Sequence, residues 1–462
     1  MNVPSPEFLA FAAVAAALLA LSRRARWRRF VLFVANLAFL ATFARGALSL
    51  VPFAGFLAAG YLAMKICAAR KDRPTLYACL AVLVAGFCWI KGYAFVPHAA
   101  LLPDVFVTVG LSYVFFRVLS VVVDASQDAL PHPIGVAGYV NYALNFTTLV
   151  AGPIQFYRPF VRDEVDDPPA VTRSAAARAC ERIVAGFLKV VVLSPVLLYA
   201  HQRAIAAASL PLILAMYPIY LYVNFSGYTD VAIGTARFLR LELPENFDYP
   251  FLARGYIEFW NRWHMSLSAW FKTYVYSPML LWSMRRFPGR RVEAALGVAA
   301  YFATFFLVGI WHGQTWTFVV FGLLNGAGVS GNKIYQLAMD SAMGKTRHRS
   351  LMAKTWYQAA CAGATFLWFA LTLVFFWAAW PQLGPIFGRF NAAAWTLSAV
   401  ALVAGGAAYW RIVTLALAFD WKRFSPIGSY VRPAWYAALA MAVVSIEVIF
   451  NAPAAHVVYR AF

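Results

Sequence analysis

Two histidines stand in settings suited to proton transfer. His312 lies in Trp311-His312-Gly313-Gln314, a polar tip between two long apolar segments, with Trp316 close behind. His264 lies in Phe259-Trp260-Asn261-Arg262-Trp263-His264-Met265-Ser266-Leu267-Ser268, where aromatics mix with an arginine and hydroxyls. A neutral imidazole, with a pKa of about 6.5, takes a proton near neutral pH and so makes a hydroxyl nucleophilic. An ionisable side chain in an apolar setting is costly and by default faces a working cavity. The bland alternative at position 312 is a histidine hydrogen-bonded for structure. Around His264 it is a plain interfacial helix, with Trp260, Trp263 and Trp270 anchored at headgroup depth. A third polar island, Asn224-Phe225-Ser226-Gly227-Tyr228-Thr229-Asp230, breaks a hydrophobic run. Asp230 there pairs with an arginine such as Arg237 or Arg254, or it lines a polar cavity with Ser226.

Other chemistries lack their residues. Gly326 to Gly331 matches a dinucleotide-binding glycine pattern, but no strand precedes it, and the near P-loop ending at Lys333 has its lysine one place late. Small residues in an apolar helix more often permit close packing. There is no GxSxG elbow and no HExxH pair. Cys67, Cys79, Cys88, Cys180 and Cys361 have no CxxC spacing, so neither a metal site nor a disulfide set is expected. Histidine-based, metal-free chemistry remains.

The elements that position these residues must suit a bilayer. Of 462 residues, 62% are hydrophobic and 13% charged, against about 45–50% and about 25% in a soluble domain. The apolar residues form long runs, whereas barrel strands would alternate. The expectation is an all-α integral membrane bundle, one polytopic unit over 1–462, with about 11–13 hydrophobic segments. They fall at roughly 7–21, 30–45, 47–68, 75–95, 105–123, 134–151, 179–200, 210–236, 292–311, 315–340, 356–380, 394–418 and 434–451. The first run is followed by arginines instead of preceded by them, so it reads as a retained helix and not a cleaved leader. The net charge of +20 is spread between runs, not along one soluble face, which argues against nucleic acid as a partner.

Lysine and arginine collect in cytoplasmic loops. By that rule Arg23, Arg24, Arg26, Arg28 and Arg29 face inward, as do Arg285, Arg286, Arg290 and Arg291, Lys345, Arg347 and Arg349, and Lys422, Arg423 and Arg432. Both termini are then extracytoplasmic. Between Lys71–Arg73 and Arg237–Arg240 the crossings do not close, and 75–95, which carries Lys91, is the candidate for a re-entrant or flat segment. The segment 292–311 rises about 30 Å at about 1.5 Å per residue, placing His312 deep in the membrane or near its outer face.

Asn224–Gly234, Pro244–Phe247, Glu258–Ser268 and Gly309–Trp316 occur in the order found in bacterial membrane-bound O-acyltransferases, of the alginate O-acetylation and teichoic-acid D-alanyl transfer type. Ala151-Gly152-Pro153-Ile154 and Gly186-Phe187-Leu188-Lys189 are similar to that family's earlier landmarks. The resemblance covers about 110–325. It implies a ring of membrane helices around a buried channel, with the family's invariant histidine at His312 and its more variable polar site at His264. It also implies an acyl group passed from a cytoplasmic thioester, acetyl-CoA or an acyl carrier protein, to a hydroxyl of an extracytoplasmic polysaccharide or partner protein. Asn261, Arg262, Trp311, Trp316, Asp230 and Ser226 are the expected substrate-binding residues, with no bound cofactor and no metal.

The donor stays open between two branches. Lys272-Thr273-Tyr274 stands where the acetylating branch often has Arg-Asp-Tyr, Met279-Leu280-Leu281-Trp282 replaces a common glycine pair, and Asn325 stands where many relatives carry a further histidine. An Ala- and Arg-rich composition, typical of Gram-negative bacteria with GC-rich genomes, tips the reading to acetyl and an inner-membrane location. D-Alanyl transfer is the alternative. A transporter or flippase is the rival from another class; it predicts an internal repeat with paired broken helices, and neither polar island has a second copy.

Overall fold

A computed structural model describes residues 3–97, 101, 106, 108–418, 435–436 and 438–442. Among the described residues the fold is 79% helical with no strands, and Phe247 and Trp263 form an isolated antiparallel bridge. Seven described helices are long and apolar enough to cross a bilayer: Leu48–Arg70, Arg73–Lys91, Arg173–Ala206, Leu210–Phe238, Val292–His312, Thr355–Trp377 and Ala392–Ala418. The chain is a multi-pass membrane protein. Helix ends follow local chemistry. The Asp72 carboxylate accepts from the Thr75 N–H at 2.8 Å to open Arg73–Lys91, which Gly92 closes at φ +68°.

The chain divides into two compact units. The described parts of Met1–Val192, Asn224–Glu245 and Ala442–Phe462 form one, and Leu193–Val223 with Asn246–Met441 the other. In the first, 75–95 holds a helix long and apolar enough to cross, whereas 134–151 does not. Arg73–Lys91 is a full 19-residue helix, whereas 134–151 yields only Val136–Leu144, nine residues. At 1.5 Å per residue, nine residues fall well short of a bilayer of about 30 Å. The helix stops because the turn after it is held by a cation. The buried Arg117 guanidinium donates to Ala143 O and Thr148 O, both at 2.9 Å, and to Thr148 Oγ1 at 2.5 Å. A guanidinium with five fixed donors takes up the carbonyls a helix end leaves free.

The same unit packs Arg173–Phe187 against the second half of Leu210–Phe238 through glycines. A Cβ at Gly186 would lie 2.7 Å from Gly227 O, and one at Gly227 would lie 2.8 Å from Lys189 Cβ. Small residues let membrane helices meet at the backbone. The polar island therefore bends no helix; it lies buried on one.

In the second unit, Arg290–His312 and Trp316–Met343 form a hairpin about the Gly313 tip. A Cβ at Gly309 would overlap Gly322 Cα, and one at Gly326 would lie 2.9 Å from Phe302 O. Glycine at 326 thus serves helix packing, as the sequence reading held. The stretch around His264 departs from a single interfacial helix. It breaks into Tyr256–Trp260 and Met265–Phe271, and Trp260, Trp263 and Trp270 are buried in protein instead of anchored at headgroup depth. Ring contacts explain this: Trp260 meets Phe305 at 5.1 Å, and Trp263 meets Phe369 at 4.9 Å. Lys422, Arg423, Arg432 and all of 443–462 lie outside the described residues, and with them most of the expected span 434–451.

Candidate functional site

His312 is the last residue of its helix, at the end opposite Arg290, and is 5% exposed. Its Nδ1 lies 2.6 Å from Val308 O. A carbonyl only accepts, so Nδ1 is the protonated nitrogen, and the neutral ring keeps its lone pair on Nε2. Trp311 packs on the imidazole at 4.7 Å, and Phe321 and Phe376 at 5.6 Å each. The ring is thus aimed by one hydrogen bond and held by three aromatic faces.

His264 belongs to the same unit and is 0% exposed. Its backbone adopts φ +46° and ψ +51°, the left-handed region. For a residue with a Cβ this costs about 1–2 kcal/mol, and such strain persists where the surroundings enforce it. Burial, and after it the charge His312 would carry, hold the His264 imidazole neutral, far below its usual range. A neutral, buried imidazole serves as a hydrogen-bonding group and not as a charge.

A cavity of about 360 Å³ lies in the same unit, lined by the helix that ends at His312 and by the stretch around His264, though by neither histidine itself. One wall is Tyr301, Thr304, Phe305 and Val308, on the helical face that ends at His312. The opposite wall is Trp260, Asn261, Met265, Ser268 and Lys272, around and beyond His264. The Ser268 hydroxyl is buried with no hydrogen-bond partner among the described residues. Among the described lining residues there is one formal charge, the exposed Lys272, and no carboxylate. Also among the described residues, no group of three His, Cys, Asp or Glu side chains is placed to hold a metal ion.

The other expected residues divide. Asn261 lines this cavity, and Trp311 packs on His312. Arg262 is engaged elsewhere, with its Nε 3.1 Å from Glu258 Oε1 and its Nη1 3.1 Å from both the Asp248 carbonyl and carboxylate. Trp316 is 72% exposed at the start of the returning helix. Ser226 and Asp230 lie in the other unit. Asp230 pairs neither with Arg237 nor with Arg254. It is bound by Arg182 Nε at 2.9 Å and Lys189 Nζ at 2.6 Å, while Arg237 pairs with Glu242 and Arg254 with Glu258. The sequence reading missed Ser268, Tyr301 and Thr304. Helical spacing back from His312, through Val308 to Thr304 and Tyr301, marks the face that reaches them.

Comparison with known proteins finds a family and relatives for this chain. The family model for the membrane-bound O-acyltransferase family matches residues 70–376. A teichoic acid D-alanyltransferase of Bacillus subtilis (strain 168) is 31% identical over 227 residues, 46% of this chain and 56% of that protein. A probable alginate O-acetylase of Azotobacter vinelandii is 29% identical over 223 residues, 47% of this chain and 43% of its own length. A peptidoglycan O-acetyltransferase of Helicobacter pylori (strain ATCC 700392 / 26695) is 32% identical over 217 residues, 46% of this chain and 39% of that protein. The chain spans about half the length of the curated relatives it matches. With the family model covering well over half of its residues, the chain belongs to the membrane-bound O-acyltransferase family.

Proposed function

We propose that this protein transfers an acyl group from a thioester donor to a hydroxyl, with His312 as general base. The observation that carries the reading is the His312–Val308 hydrogen bond, which leaves Nε2 as the basic nitrogen. Nε2 takes the acceptor hydroxyl's proton as its oxygen attacks the thioester carbonyl. The C–S bond breaks, the C–O ester bond forms, and the departing thiolate takes up the proton. The thioester is already activated, so proton removal and alignment are the remaining tasks. Donor orientation falls to Asn261, Ser268 and the neutral His264. The donor arrives from the cytoplasm, and the acceptor is a hydroxyl of an extracytoplasmic polysaccharide or partner protein. This reading sets the protein in the bacterial inner membrane with both termini outside.

The cavity favours acetyl over D-alanyl. A D-alanyl thioester carries a protonated amine, and the described lining offers it a lysine and no carboxylate. A neutral acetyl group meets no such penalty. Lys272 instead suits the phosphate of a pantetheine arm, common to coenzyme A and a carrier protein. The helix Ser277–Arg286 follows, bearing exposed Leu281 and Trp282 and ending in Arg285 and Arg286, a basic and apolar ledge that fits an anionic donor carrier. Purified protein in detergent, with no membrane gradient, will transfer acetyl from a pantetheine thioester to a soluble acceptor and will use the D-alanyl thioester at least tenfold less well. Movement of substrate without chemical change would instead establish a transporter. Lys272→Glu will narrow the acetyl preference by raising donor KM for acetyl more than for D-alanyl. An unchanged ratio of kcat/KM values would remove Lys272 from donor recognition.

A further inference from the structure

His264 is held left-handed from both sides by one short segment. On its upstream side the Asp248 N–H donates to Arg262 O at 3.0 Å, and Phe247 bridges Trp263. On its downstream side Asn246 accepts from the first turn of Met265–Phe271. The Met265 N–H donates to Asn246 O at 3.0 Å, the Ser266 N–H donates to Asn246 Oδ1 at 3.1 Å, and the Ser266 hydroxyl donates to the same oxygen at 2.7 Å. Asn246 is 0% exposed. An N–H can only donate, so the oxygen of the Asn246 amide, not its nitrogen, faces Ser266.

The first N–H groups of a helix lack partners inside it, and an Asn, Asp or Ser immediately before the helix normally supplies one. At Met265–Phe271 that place is taken by His264, whose side chain makes no capping bond. Asn246 does the capping from outside, some twenty positions earlier in the chain. The capping bond is thus made by Asn246 and not by the imidazole of His264.

We propose that Asn246 is a positioning residue for acyl transfer: its side-chain carbonyl caps Met265–Phe271 in place of His264 and thereby fixes the left-handed backbone that sets the direction of the His264 ring. The proposal rests on the reading of His312 as the general base and of His264 as a group that orients the donor. It assigns Asn246 no contact with substrate. It also explains an asparagine at this position: the Asn246 amide nitrogen has no hydrogen-bond partner among the described residues, so the acceptor oxygen is the part in use.

The test compares Asn246→Ala, Asn246→Asp and His264→Ala in the purified full-length protein, reading kcat, donor KM and thermal midpoint. Asn246→Ala will lose about 10–100-fold in kcat, the range for a misplaced catalytic group, with donor KM within twofold. Asn246→Asp keeps an acceptor for both Ser266 donors and will stay within threefold of wild type. Equal loss in the Ala and Asp variants, or wild-type kcat in Asn246→Ala, would overturn the proposal. Should Asn246→Ala fail to fold, Ser266→Ala removes the shortest of the three contacts and must still lower kcat without raising KM; no change there also overturns it. Full activity in His264→Ala would instead defeat the underlying reading of His264, a different result from an active Asn246→Ala beside an inactive His264→Ala.

Discussion

Replacing His312 with glutamine or alanine lowers kcat by about 10²–10⁴-fold, the usual contribution of a general base, with donor KM little changed. The expectation follows from how the ring is held. Nδ1 is committed to Val308 O at 2.6 Å, so the only basic atom is Nε2, and neither replacement supplies one in that place. An interaction made only during proton transfer lowers kcat and kcat/KM together. Loss of binding would raise KM first, so the kinetic pattern separates a base from a mere contact. Trp311, Phe321 and Phe376 remain to fill the surroundings in the glutamine variant, and the purified protein will elute as a single species. Wild-type turnover in either variant would end the proposed mechanism. The measurement is acyl transfer in detergent by variant and parent at matched concentration.

The helical membrane class and the family were legible in the sequence; the packing around the two histidines was less so. The tip at His312 was legible because a polar group flanked by two apolar arms allows little but a hairpin in a bilayer. The segment 134–151 was not, because what ends its helix at Leu144 is Arg117, distant in the chain, gathering the carbonyls of Ala143 and Thr148. The alternative of an interfacial helix around His264 fails for a related reason. An aromatic and polar mixture has the same pattern at a lipid headgroup and in a buried core, and only the partners Phe305 and Phe369 decide between them. The part of the site least visible in sequence is Asn246. Its role depends on a left-handed residue at 264, and no periodicity announces a non-glycine residue in that conformation.

Asp230 gives the second large effect, and it separates architecture from chemistry. Asp230→Ala will destabilise the protein by about 2–4 kcal/mol, somewhat below or within the 3–5 kcal/mol known for breaking a fully buried pair, because the pair is only partly shielded. Asp230 is 15% exposed, and Lys189 and Arg182 are about a third exposed or less. Arg182 retains Glu245 as a partner, with both carboxylate oxygens at 2.5 Å, so most of the cost falls on Lys189. That lysine cannot easily withdraw, since Gly186 and Gly227 bring the two helices to backbone contact around it. Replacing both members by apolar groups, Lys189→Met with Asp230→Leu, removes the stranded charge and restores much of the thermal midpoint; such exchanges of ion pairs are often neutral or stabilising. Activity then decides the role. If Asp230 only joins helices, the double variant regains turnover along with stability, whereas a substrate-binding carboxylate leaves it stable and inactive. The structural outcome is expected, because both carboxylate oxygens of Asp230 are already engaged by cations of its own unit. A stable but dead double variant would return Asp230 to the substrate path.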